Sequence, residues 1–70
     1  MAYAVRLDSL KTQRLAAGYS VTRLAQLSAT SDRLIVTLEA GGSCTEMDAS
    51  KLADALGVTT TTLGRAPLSP

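Results

Sequence analysis

The stretch SVTRLAQLSATSDRLIVTL, residues 20–38, decides the fold. Ser20 is a good N-cap, because its hydroxyl can accept from a backbone N–H two or three residues on. Behind it Val21, Leu24, Ala25 and Leu27 recur at helical spacing. Ser31 caps a second segment, with Asp32 in the first turn where negative charge suits the helix dipole. The run from Leu34 to Leu38 has the β-branched content of a strand. A helix over residues 32–40 is the better assignment: Ser31 and Asp32 open the run, Gly41 closes it, and a lone strand has nothing to pair with.

Working outward, Leu7, Leu10, Arg14 and Ala17 fall on one face of a helix over residues 7–17, and Gly18 supplies the left-handed stop. Downstream, Thr45 with Asp48 makes an approximate capping box for a helix whose apolar stripe is Ala49, Leu52, Ala53 and Leu56, ending at Gly57. Thr59 can cap a last, short helix ending near Leu63, since four threonines in a row suit no long one. The expected fold is all-α with five helices: one domain over residues 1–65, then a mobile proline-flanked tail over residues 66–70.

Composition narrows the function. Seventy residues, 46% of them hydrophobic, make a single small module that benefits from packing against a second copy. With no His and one Cys, neither a zinc cage nor a disulfide framework can be built, so no metal or cofactor is expected. No Ser or Cys has a plausible base nearby, and Gly41-Gly42 does not match a phosphate-cradling loop, so the chain is not expected to be an enzyme or to take a small-molecule substrate. No apolar run approaches a bilayer crossing and the opening MAYAVRLDSL lacks a secretory pattern, which predicts a cytoplasmic protein off the membrane. The net charge of +1 hides an asymmetry. Residues 1–33 hold Arg6, Lys11, Arg14, Arg23 and Arg33 against Asp8 and Asp32, whereas the remainder holds Lys51 and Arg65 against Glu39, Glu46, Asp48 and Asp54. The N-terminal half can therefore face a polyanion.

A short helix, a turn of three or four residues and a second helix are the ingredients of a helix-turn-helix unit. Small Ala25 lets the two backbones approach, while Ile35 and Leu38 anchor the second helix and leave its other face free. At Leu10, Arg14, Gly18, Ser20, Leu24-Ala25, Ser31, Ile35, Leu38-Glu39, Gly41, Leu52-Ala53 and Ala55-Leu56-Gly57-Val58 the sequence resembles the Cro/C1-type helix-turn-helix family of phage and bacterial repressors. The resemblance runs from Leu7 to Leu63, nearly the whole chain. It implies a five-helix, lambda-repressor-like domain, dimeric on duplex DNA, with the third helix in the major groove. It also implies an ion pair between Arg14 and Glu39 that joins the first and third helices, the alternative for Arg14 being a contact to a DNA phosphate.

Helical geometry then turns Ile35, Leu38 and Leu34 inward and Arg33, Val36, Thr37 and Ala40 outward, with Asp32 at the edge. In a major groove Arg33 can donate to guanine O6 and N7, Asp32 can accept from cytosine N4, and Val36 or the Thr37 methyl can touch a thymine methyl. Ser20 and Ser31, with the amides at the helix starts, suit phosphates. Arg23, Lys11 and Arg6 add diffuse attraction, and Ser43 lies in the loop after Gly41 that often meets the backbone in the family. A dimer surface is expected from Val58, Leu63 and Leu68. Two departures from the family pattern, Val21 in place of a common Gln and an uncharged loop at Gly42-Ser43-Cys44-Thr45, keep a second function open. In that alternative the same fold is a protein-interaction module, an antitoxin or anti-regulator with weak DNA affinity. Lone Cys44 is expected to be a plain unreactive thiol.

Overall fold

A computed structural model describes residues 5–67. The order of elements is β1 (Val5–Leu7), α1 (Leu10–Ala16), α2 (Val21–Ser28), α3 (Asp32–Glu39), α4 (Glu46–Leu56) and β2 (Arg65–Pro67). Four helices and one two-stranded sheet make this a mostly-α domain.

The helices start where local side-chain chemistry dictates. Ser20, Ser31 and Thr45 each turn a hydroxyl oxygen to the backbone N–H three residues on, accepting from Arg23 at 3.0 Å, Leu34 at 3.1 Å and Asp48 at 3.2 Å. Each bond satisfies one of the donors that a helix start leaves without a partner. The turn between α2 and α3 is tighter than its composition suggests. Ala29 takes the left-handed conformation at φ 57, which costs a residue with a Cβ about 1–2 kcal/mol. Ser28 steadies it: its buried hydroxyl donates to the Leu24 carbonyl at 2.7 Å, and Thr30 Oγ1 lies 2.7 Å away.

The structure corrects several expectations. The first helix was expected over residues 7–17, but α1 begins at Leu10, and Leu7 ends β1. Val5 and Leu7 alternate inward with exposed Arg6 between them, a period of two that three residues are too few to reveal in sequence. Antiparallel partners close around this strand. Val5 exchanges two 2.8 Å backbone bonds with Cys44 on one side, and β2 pairs on the other in the register Val5 to Pro67 and Leu7 to Arg65. Ala66 and Pro67, expected in a mobile tail, are thus part of the sheet, and the rest of that tail lies outside the described residues.

The expected fifth helix is a turn. Thr62, Leu63 and Gly64 donate to the carbonyls three residues back at 3.0–3.1 Å, and Thr59 Oγ1 caps the Thr62 N–H at 3.2 Å. No helix follows, because crowded β-branched side chains disfavour it and Gly64, at φ 78, turns the chain into β2. Ser9 N–H takes the Leu63 carbonyl at 2.9 Å, which locks this turn to the start of α1. Leu63 consequently points into the domain.

The core gathers Leu10 from α1, Leu24 and Ala25 from α2, Ile35 and Leu38 from α3, and Ala49, Leu52 and Ala53 from α4, closed by Val5, Leu7, Cys44 and Leu63. Leu63 is fully buried in this cluster, so it cannot serve the dimer surface expected of it. Val58 is half-buried against the same cluster, and Leu68 lies outside the described residues. Leu27, assigned to the apolar stripe of α2, sits at the surface. Among the described residues every buried side-chain nitrogen or oxygen has a hydrogen-bond partner.

Cys44 is enclosed in this core, and burial, with the charges of Asp48 and Glu46, pushes its thiol up to about 11. The folded chain therefore holds the thiol proton more tightly than the unfolded chain, whose cysteine titrates near 8.5. Stability from this group is complete below that value and is lost as pH rises through about 11. Guanidinium unfolding of the wild type and Cys44→Ala at pH 7, 9 and 11 checks this. The wild type is expected to lose stability more steeply than the variant above pH 9, and parallel losses would contradict the assignment.

Candidate functional site

Helix α3 is gripped along one side. Ile35 and Leu38 are buried and Leu34 is half-buried, whereas Asp32, Arg33, Val36, Thr37 and Ala40 are exposed. Val36, a large apolar residue, is 56% exposed on that outer flank.

The far end of α3 is held by charge. Arg14 Nε donates to Glu39 Oε2 at 2.6 Å and Nη2 donates to Oε1 at 3.1 Å, a two-pronged pair that matches the planar fork of guanidinium to a carboxylate. A third donor, Nη1, reaches the Tyr19 carbonyl at 2.9 Å. Both side chains are about nine-tenths buried, at 10% and 12% exposure, so water competes little for these bonds. The bond to Glu39 raises the pKa of a group that is already a permanent cation, against the opposing effect of burial. Arg14 thereby joins α1, the turn before α2 and the end of α3, and its charge is spent within the fold.

Past Glu39 the chain folds back tightly. Gly41 donates to the Leu38 carbonyl at 3.1 Å and Gly42 to the Thr37 carbonyl at 2.8 Å. A Cβ on Gly42 would come within 2.5 Å of the Thr37 γ-methyl and 2.8 Å of its carbonyl oxygen, so only glycine fits without a shift. Thr37 is exposed, yet its methyl lies against Gly42. Ser43, half-buried in the same loop, stands next to the bridge between Cys44 and Val5.

The remaining candidate residues collect at the start of α2 and of α3. Ser20, Arg23, Ser31, Asp32 and Arg33 are all exposed. The oxygens of Ser20 and Ser31 already accept backbone bonds, but each hydroxyl keeps its hydrogen to donate. One residue that sequence reasoning passed over joins them: Thr22 Oγ1 lies 2.7 Å from Asp32 Oδ2 and donates to it across the turn. A threonine ten residues before an aspartate carries no signal by itself, and only the folded turn brings the two together.

Charge on this surface is modest. Arg23 and Arg33 stand against Asp32, with Lys11 and Arg6 further off, and Arg6 is 3.4 Å from Asp8 in an exposed pair. A hollow of about 310 Å³ lies at the far end of α3, lined by Arg6, Asp8, Lys11 and Glu39 among others; of the outward residues it takes in Ala40 but not Asp32, Arg33, Val36 or Thr37. The candidate surface is a projecting helix, not a concave pocket. Among the described residues no group of three or more His, Cys, Asp or Glu could hold a metal ion, and no helix is long and apolar enough to cross a membrane. Comparison with family models, with curated proteins and with solved structures finds no match to this chain.

A domain of this size has roughly 4 to 10 kcal/mol of stability in all, so the anchor of α3 is testable by unfolding. Arg14→Met or Glu39→Leu alone strands a buried charge and is expected to cost about 3 kcal/mol, with the double variant costing well under the sum. Denaturant midpoints of the four proteins check it. Small, additive losses would show that the pair does not hold the helix.

Proposed function

We propose that this chain is a sequence-specific DNA-binding regulator that lays α3 in the major groove. The observation that carries the reading is the one-sided anchorage of α3: its inner flank is locked by Ile35, Leu38 and the Arg14–Glu39 pair, while its outer flank stands bare. A groove about 12 Å wide admits an α-helix presented in this way. In this reading α2, the turn over residues 29–31 and α3 form a helix-turn-helix of the Cro/C1 type, within a lambda-repressor-like domain whose fifth helix has shrunk to the turn before β2.

Five of the surface groups then have roles. Arg33 donates two bonds to a guanine edge, and Val36 packs on a thymine methyl. Ser20 and Ser31 donate to phosphates at the starts of α2 and α3, and Arg23 adds a cation beside them. With so few cations, few counterions are released per domain, so affinity comes from a homodimer on a two-fold operator, with half-sites about 34–36 Å apart. The resemblance to phage and bacterial repressors favours repression as the outcome of that binding.

A second reading, a protein-interaction module, is favoured by one observation: the apolar Val36 on a flank with little positive charge. Retention of duplexes from a random pool decides between the two. The wild type is expected to enrich one two-fold symmetric motif, and Arg33→Ala to bind it about tenfold or more weaker with relaxed preference at one position per half-site. A folded Arg33→Ala protein that selects the same motif with equal affinity would contradict the assignment of α3. No enrichment by the wild type, with a stoichiometric protein partner in its place, would favour the module.

A further inference from the structure

The hydrogen bond from Thr22 to Asp32 is unusual for its position. Both residues are exposed, yet a 2.7 Å bond ties the second residue of α2 to the first residue of α3. It engages Oδ2 only, and among the described residues no other group bonds that carboxylate. The helix start is already capped by Ser31, so the bond is not needed to open α3.

A carboxylate at the leading end of a DNA-reading helix is a liability toward phosphates, which repel it whatever the base sequence. The one edge that repays it is a base whose donor has no acceptor on the same base beside it. In the major groove, guanine shows two acceptors and thymine a carbonyl oxygen, while adenine sets its N7 acceptor beside its amino group. The cytosine amino group has no acceptor on its own base beside it and only the paired guanine O6 on its other side, whereas the adenine amino group stands between its own N7 and the paired thymine O4. A carboxylate free to swing would lose rotamer entropy on meeting that donor, and one already held in place loses less.

Resting on the DNA-binding reading above, we propose that Asp32 selects cytosine at one position of each half-site and that Thr22 is the positioning residue that holds its carboxylate for the task. Thr22 acts through Asp32 and touches no base. The two residues make one reading unit drawn from two helices, and its acceptor-only chemistry complements the donor-only chemistry of neighbouring Arg33.

The test compares the wild type with Asp32→Asn, Asp32→Ala, Thr22→Val and Thr22→Ser, each on duplexes that carry the four bases in turn at every position of the enriched motif. The wild type is expected to prefer cytosine about tenfold at one position. Asp32→Asn moves that preference to adenine, to which an amide bonds with both its donor and its acceptor. Asp32→Ala loses the preference and binds unrelated duplexes more tightly, because a repulsive charge is gone. Thr22→Val, nearly the same shape without the hydroxyl, keeps cytosine but cuts the preference to about threefold, and Thr22→Ser restores it. A purely structural link would lower the denaturant midpoint of Thr22→Val and weaken all duplexes alike, with base preference unchanged, which overturns the proposal. An Asp32→Asn protein with wild-type preference at every position overturns it too, and leaves the Arg33 assignment standing. No enrichment by the wild type overturns both.

Discussion

The Arg14 guanidinium, held between the Glu39 carboxylate and the Tyr19 carbonyl, is the joint on which this small domain turns. It ties the last residue of α3 to the middle of α1 and to the turn that leads into α2. Apolar burial alone would fix α3 by Ile35 and Leu38, which lie one turn apart and set its depth without setting its rotation or its axial position. A two-pronged, directional pair at its far end supplies what non-directional packing cannot. The helix is held at its far end and along one side, which is why its remaining side can stay open.

Size explains the economy of the rest. Seventy residues bury too little surface to tolerate loose ends, and the chain compensates with local devices at nearly every junction. Three hydroxyl caps start three helices, and Ser28 braces the strained Ala29. The short sheet pins both termini of the described chain against the loop at Cys44. The turn over residues 59–64 spends Leu63 on the core, which removes it from the dimer surface expected from Val58, Leu63 and Leu68.

What was legible in the sequence was what is local. Ser20, Ser31 and Thr45 announced their helices because a cap acts within three residues, and Gly18 and Gly57 announced their ends because both take the left-handed conformation. The outward set on α3 followed from the helical period once a helix was chosen over a strand, and the exposure of Arg33, Val36 and Thr37 matches it. What was hidden is non-local or marginal. The sheet pairs residues some sixty positions apart through two strands of three residues, too short for alternation to register. The fifth helix failed where four β-branched residues met a glycine, a contest that residue spacing does not decide. Thr22 became visible as a candidate only through the turn that brings it to Asp32.

The central claim is that the bare flank of α3 is the surface that meets a ligand, and that the ligand is duplex DNA. Amide chemical-shift mapping tests this most directly, with the labelled protein titrated with the duplex enriched from a random pool. The account predicts shifts concentrated at the start of α2 and on residues 31–37, with Ile35 and Leu38 protected from exchange throughout. Shifts centred on α4 or on the sheet, or an α3 that loses its protection when DNA is added, would contradict it.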